Sequence, residues 1–274
     1  MEQSAWRPVA ELVAVLRSVG CVYAEDEAAI LLDSADSPEI LARMLARRAH
    51  GYPLEHIVGW ARFYGLKMSV APGVFVPRLR SEFLVGQVLA SIPGIPLGNE
   101  PLRILDLCCG CGAVGAAVAH DMADGPHAVE LHAADIDPTA LSCAAENVAP
   151  FKGQIHCGDL FAALPRELRG TFHIIAANAP YVPSSALEFM PQEARVHEPE
   201  VALDGGIDGL EVHRRIAAEA QHWLRPGGVL LMESSARQAA DSAGIMASHG
   251  FLTSVASNDD LGGTVVTGRV RSSA

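Results

Sequence analysis

"ILDLCCGCGAVG" occupies residues 104–115, and its reading decides the fold. Three cysteines, Cys108, Cys109 and Cys111, fall within four positions, and Cys108 and Cys111 form a C-x-x-C. That spacing fits a redox dithiol or half of a zinc site. The same stretch is an apolar strand, a turn of small residues and a helix start, the arrangement that cradles a nucleotide-type cofactor. The zinc reading lacks its other half, since the chain has neither a second C-x-x-C nor an H-E-x-x-H. No metal is expected. Cys108 and Cys111 read as small residues of a cofactor loop, with a redox role for the pair as the alternative.

Outward from this loop, short apolar or β-rich runs alternate with helical stretches. The runs are 102–107, 128–134, 154–157, 172–177 and 228–233. Asp137-Pro138 caps one helix, with Leu141, Ala144, Ala145 and Val148 as its inner face. Another spans roughly 208–224, with Leu210, Ile216, Ala220, Trp223 and Leu224 inward. Such alternation implies an α/β fold, a mainly parallel, doubly wound sheet of Rossmann-like type with helices on both faces. The longest irregular segment is 182–207, and a loop of that length is usually functional or mobile.

The first ~64 residues read as helical. Leu12, Val13, Leu16 and Val19 recur at helical spacing. Ser37-Pro38 starts a helix with the stripe Ile40, Leu41, Met44 and Leu45, stopped at Gly51. Arg43, Arg47 and Arg48 read as its solvated face, with partner binding as the alternative. Residues 65–80, broken by Pro72-Gly73 and Pro77, read as a hairpin-like linker. The expected organisation is therefore a helical domain over 1–64, a linker over 65–80 and an α/β domain over 81–274.

The 274 residues carry 20 Lys plus Arg against 32 Asp plus Glu, a formal charge of −12. A basic surface for nucleic-acid backbone is thereby disfavoured, whereas a small molecule or a basic protein partner is compatible. The N-terminus has no basic n-region or apolar h-region, so no leader is read. No apolar run reaches the ~18 residues of a membrane span. Six cysteines do not make a disulfide scaffold in a chain of this length, and a cytoplasmic location with reduced thiols is expected. Cys21, Cys143 and Cys157 read as buried small apolar residues, and Glu193 and His197 as loop surface.

An open parallel sheet binds ligands at the carboxyl ends of its strands, and four successive strand ends carry candidates. Gly110 and Gly112 follow the first strand of the α/β region, where a backbone without Cβ can approach a ligand. Asp135 follows the second, 23 residues after Gly112, close to the offset of ~20 at which an acid takes ribose hydroxyls. Asp159 follows the third, placed for an adenine edge, and Asn178 follows the fourth. The pyrophosphate motif G-x-G-x-x-G and the P-loop are both absent. An adenosine without pyrophosphate is favoured, which points to S-adenosylmethionine (SAM).

After the fourth strand comes Asn178-Ala179-Pro180-Tyr181. The Asn178 side-chain carbonyl and the Ala179 backbone carbonyl, held extended by the proline, are two acceptors suited to a planar –NH2 group. Tyr181 can pack on such a group. Holding both N–H bonds would set a weakly nucleophilic nitrogen in line with a sulfonium methyl.

These residues resemble those of the protein-(glutamine-N5) methyltransferases of the PrmC/HemK type, which modify the Gly-Gly-Gln motif of peptide-chain release factors. The similarity runs through residues 47–78, "ILDLCCGCGAVGAAVA", "AADIDPTALSCAAENV", "CGDLF", "FHIIAANAPYVP", "HEPEVALDGGIDGLEVHRRI" and "LRPGGVLLMESSARQ". It implies a class I SAM-dependent methyltransferase fold and N-methylation of a protein glutamine. It also implies that Cys108, Cys109, Gly110, Cys111 and Gly112 cradle the SAM methionine and sugar, that Asp135 holds the ribose, and that Leu160 lies beside the adenine. Asn178 to Tyr181 would hold the substrate amide, and the helical domain would help dock the release factor. Four departures mark a divergent member. Cys108 stands where the family usually has glycine, N-A-P-Y replaces N-P-P-Y, "PRLRSE" replaces a linker close to P-R-P-E-T-E, and Ser234-Ser235 replaces an expected glycine. The readings kept beside this one are methylation of another amide or amine, including adenine or a small metabolite, and a SAM-binding protein whose catalysis has decayed.

Overall fold

The computed structural model describes residues 8–97 and 100–271. Residues 1–7, on which the reading of a leaderless N-terminus rests, lie outside them. Four helices come first: α1 (Val9–Ser18), α2 (Ala24–Ser34), α3 (Pro38–Ala49) and α4 (Leu54–Val58). Leu12 and Leu16, Ala24, Ala28 and Leu31, and Leu41 and Leu45 sit at helical spacing and bury against one another with Ile57. Ser37 starts α3 by accepting the Ile40 N–H at 3.2 Å, ahead of proline at the first helical position.

The hairpin lies earlier than its sequence reading. Its strands are β1 (Trp60–Phe63) and β2 (Leu66–Ser69), paired antiparallel, not a unit within 65–80. Tyr64 and Gly65 both take positive φ, 50° and 75°, the two-residue turn whose twist suits a hairpin. Ala61, Phe63 and Met68 turn inward at strand period.

The remaining elements are α5 (Glu82–Ser91), β3 (Leu102–Leu107), α6 (Ala113–Asp121), β4 (Val129–Asp135), α7 (Pro138–Val148), β5 (Gln154–Cys157), β6 (Phe172–Ala177), α8 (Gln192–His197), α9 (Glu211–Ala220), β7 (Leu224–Glu233), α10 (Ala239–Ser248), β8 (Leu252–Asn258) and β9 (Gly263–Arg269). They build a seven-stranded sheet of order β5-β4-β3-β6-β7-β9-β8, in which β9 runs antiparallel to both neighbours. The central strands are buried on both faces. Ile104, Ile174 and Leu231 meet α5, α6 and the hairpin, while Leu105, Ile175 and Leu230 meet α9 and α10. The direction of winding reverses between β3 and β6, and this switch point opens the crevice at their carboxyl ends.

Local differences from the sequence reading have local causes. β7 starts at Leu224, not 228, because Leu224 pairs with Phe172 before a register shift. On α7, Ala145 is exposed and Cys143 takes the inner position. Segment 182–207 is not irregular throughout: it holds α8 and two 3-10 turns, Ser184–Phe189 and Glu200–Ala202. β8 and β9 were not foreseen. β8 is largely exposed, so it lacks the apolar run that marks the central strands.

Arg48 is not solvated. It is buried on α3, bidentate to Glu27 at 2.5 and 2.9 Å, and its Nη1 reaches Glu193 on α8 at 2.5 Å. Arg47 lies over the Tyr52 ring and is half-buried, and of the three arginines Arg43 alone is exposed. Glu193 and His197 are likewise not free loop surface, since the His197 ring packs on Tyr52 at 4.4 Å. Cys157 is exposed and Cys21 half-buried, whereas Cys143 is buried. Among the described residues no helix is long and apolar enough to cross a membrane.

Candidate functional site

The loop after β3 turns the chain with backbone geometry. Cys108, Gly110 and Gly112 all take positive φ, 55°, 54° and 75°. Gly110 has nothing within 4 Å of where a Cβ would stand, which leaves open space beside its backbone. At Gly112 a Cβ would lie 3.1 Å from the Ala144 methyl, so this glycine serves the packing of α6 on α7 and does not line the cavity. Gly115 is needed for a similar reason. Its Cβ would come within 2.9 Å of Leu131, and its N–H donates at 2.7 Å to the buried Asp106 carboxylate. Burial pushes Asp106 up to about 7, against the opposing Gly115 hydrogen bond.

Asp135, ending β4, accepts the Gly110 N–H at 2.8 Å on Oδ2 and the Asp137 N–H at 2.9 Å on Oδ1. Burial raises its pKa, while those N–H groups oppose the shift. Each oxygen keeps a lone pair for a further donor. Asn147 ties the loop to the hairpin: its Nδ2 donates to Cys111 O at 2.8 Å and to Ser69 O at 3.0 Å, and its Oδ1 accepts the Ser69 N–H at 2.7 Å. Burial pushes all three loop thiols up, Cys111 to about 12. Thiols kept protonated exchange poorly, so the physical setting favours the cofactor-loop reading of the C-x-x-C over the redox one.

After β5, Asp159 pairs with Arg215 of α9 at 2.6 Å, and Leu160 follows at φ 48°, nearly buried. After β6, Asn178 donates from Nδ2 to the Ser81 hydroxyl at 3.1 Å. Ala179 is buried. The Tyr181 hydroxyl donates to Glu233 Oε1 at 3.1 Å, and Arg80 stands 6.0 Å above the Tyr181 ring. Burial and the Glu233 carboxylate push the Tyr181 phenol up. Glu233 ends β7, is 1 % exposed, and its other oxygen finds no hydrogen-bond partner among the described residues.

One cavity at the switch point brings together Cys108, Cys109, Gly110, Cys111, Asp135, Asp159, Leu160 and Asn178 to Tyr181. Of the expected site residues Gly112 alone stays outside its lining. Arg78 and Arg80 of the linker and Ser81 just after it line it too, as do Met190 and Val201 of segment 182–207. Sequence reasoning missed Asp106, Asn147, Ser81, Arg215 and Glu233. Asp106 carried a signal, a charge inside an apolar strand; the others meet the site only through distant contacts.

The lining fits SAM. An open backbone at Gly110 leaves room for a close ligand, Asp135 has two acceptor oxygens that suit a ribose diol, and Leu160 adds an apolar lining residue. Among the described residues no cluster of three His, Cys, Asp or Glu could hold a metal ion.

Residues 87–260 match the family model described as "Methyltransferase small domain". The chain is 37 % identical over 195 residues to the release factor glutamine methyltransferase of Streptomyces coelicolor, covering 71 % of this chain and 67 % of that one. With that of Geobacter sulfurreducens the identity is 34 %, covering 87 % and 81 %. Among solved structures, a methyltransferase from Pyrococcus furiosus superposes with a TM-score of 0.54 at 15 % identity, covering 84 % of this chain and 99 % of that one. A T. thermophilus 16S rRNA methyltransferase in complex with AdoMet and guanosine superposes with a TM-score of 0.52 at 20 % identity, covering 77 % and 50 %. The two likenesses show the Rossmann-like fold, and with the family match they place it in the class I SAM-dependent methyltransferase type.

Proposed function

We infer the reaction from one premise: the chain belongs to the release factor glutamine methyltransferase family and is a SAM-dependent methyltransferase. Its proposed reaction is methyl transfer to the side-chain amide nitrogen of a protein glutamine, the Gly-Gly-Gln glutamine of a release factor. The observation that carries this reading is that Asn178 and Ala179 share a cavity with the Cys108–Cys111 turn and Asp135. Acceptors for an amide and the cradle for a cofactor thus open on one space.

Bound there, SAM supplies an electrophilic sulfonium methyl. The Cys108–Cys111 turn, Asp135, Asp159 and Leu160 are assigned to holding it. Asn178 Oδ1 and the Ala179 carbonyl take the two N–H bonds of the substrate carboxamide, which fixes the nitrogen lone pair toward the methyl. As the nitrogen becomes cationic the hydrogen bonds it donates to these acceptors strengthen, so stabilisation grows in the transition state. The methylated nitrogen is acidic enough to lose its proton to water as the products leave, without a dedicated strong base. Tyr181, tethered through its hydroxyl, covers the amide and excludes water.

The helices before the hairpin are assigned to docking the protein substrate, and the −12 charge suits a basic partner better than nucleic acid. A cytoplasmic location goes with this activity. Incubation with labelled SAM and a release factor tests the reading. The label is expected on the Gly-Gly-Gln glutamine, and Asn178→Ala is expected to cut transfer by roughly 100-fold or more. Label on nucleic acid or a small metabolite, or full activity in that variant, would overturn it.

A further inference from the structure

We propose that Ser81, in the turn before α5, is a positioning residue for methyl transfer, its hydroxyl fixing the plane of the Asn178 carboxamide whose Oδ1 takes the substrate N–H. The inference rests on the role given to Asn178 above.

Ser81 is 2 % exposed and lies 97 residues from Asn178, yet its Oγ accepts the Asn178 Nδ2–H at 3.1 Å. Among the described residues no other group hydrogen-bonds the Asn178 side chain. Rotation about the last torsion of asparagine is soft, with a broad, roughly two-fold profile. Without Ser81 the plane of this acceptor would be held by packing alone.

The anchor itself is fixed. The Ser81 N–H donates to Arg78 O at 2.9 Å, closing a 3-10 turn that runs into α5. Glu82, the next residue, accepts the Tyr64 N–H of the hairpin turn at 2.7 Å. On the other side β9 presses close: a Cβ on Gly263 would lie 2.7 Å from Arg80 O. The hydroxyl therefore sits on backbone pinned by the hairpin and by the sheet.

A hydroxyl can accept or donate, so Ser81 alone would hold the carboxamide plane in either sense. The substrate makes the choice. With Nδ2 toward Ser81, Oδ1 meets the incoming N–H. Turned over, two –NH2 groups would face each other. Ser81 thus supplies the fixed plane and the substrate amide the orientation within it.

The test uses the full chain, with a release factor as methyl acceptor. Ser81→Ala is expected to lower kcat roughly 5- to 10-fold, the worth of about one hydrogen bond. SAM affinity should stay unchanged, the melting temperature should fall by no more than the few degrees that one lost hydrogen bond costs, and the KM for the release factor should move less than kcat. Ser81→Thr restores most of the rate. Ser81→Cys, similar in size but a weak hydrogen-bonding group, loses rate like alanine and guards against a folding defect in the alanine variant. Because Ser81 acts through Asn178, adding Ser81→Ala to Asn178→Ala should cost nothing further in single-turnover transfer. An independent loss in the double variant, or no rescue by threonine, would overturn the proposal. Full activity of Asn178→Ala alone would instead overturn the parent reading of the site.

Discussion

The Gly110 amide donates to the Asp135 carboxylate across 2.8 Å, so the turn after β3 is held by the acid that ends β4. Asp135 is thus asked to shape the cradle and to accept from the ribose. Asp135→Ala removes both and should weaken SAM binding by about 1–3 kcal/mol. Asp135→Asn keeps one acceptor and should fall between. Titration calorimetry with SAM reads the effect, and unchanged affinity in the alanine variant would sink the ribose assignment.

Cys108 takes φ 55° beside this turn, a conformation that costs a residue with a Cβ about 1–2 kcal/mol. The family's usual glycine would relieve that cost but add unfolded-state entropy. Cys108→Gly should therefore raise stability by no more than about 1 kcal/mol in thermal or chemical denaturation, with SAM affinity kept or improved. A loss of SAM binding would mean that the side chain, and not only the turn, serves the ligand.

The strand ends were legible because the central strands are apolar runs that stop at Gly or Asp, and such stops locate the crevice of a parallel sheet. Asn178-Ala179-Pro180-Tyr181 was legible as a pair of acceptors followed by an aromatic. What holds these residues was not. Asn147 meets Ser69 across 78 positions, Tyr181 meets Glu233 across 52, and Arg48 meets Glu193 across 145. Periodicity encodes which face of an element is buried, but not which polar tips meet once the elements pack. The linker shows the consequence. "PRLRSE" looked like a loss of an acid and a threonine, yet Ser81 keeps a hydroxyl at the site, and Arg80 pairs with Glu233.

Arg48 joins the helical region to α8 through two carboxylates, and its own side chain is 10 % exposed. Arg48→Ala would leave the part-buried Glu27 without its bidentate partner, a loss of up to about 3 kcal/mol. Glu193 is 45 % exposed, so Glu193→Gln should cost below about 1 kcal/mol. Comparing their melting temperatures checks this asymmetry. Equal effects would show that the contact with α8, and not the Glu27 pair, is the stabilising part.

His213 on α9 is fully buried, with Nδ1 2.9 Å from the Ser242 hydroxyl and Nε2 without a partner among the described residues. Burial holds its pKa down to about 4, and Arg214 adds in the same direction. The neutral ring is the folded form, while the unfolded chain takes up a proton near pH 6.5. Its contribution to stability is therefore complete above about pH 6.5 and is lost as pH falls toward 4. The total is about 3 kcal/mol, since a tenfold change in proton affinity is worth about 1.4 kcal/mol. His132, His156 and His173 are also held low by burial and add slope of the same sign. Asp106, pushed up to about 7, adds slope of the opposite sign. The comparison that isolates His213 is urea denaturation of the wild type and of His213→Gln from pH 7 to pH 4. The variant should be less stable at pH 7, where it lacks the native packing, yet lose less on acidification. Parallel profiles for the two proteins would mean that His213 takes up its proton without opening α9 from α10.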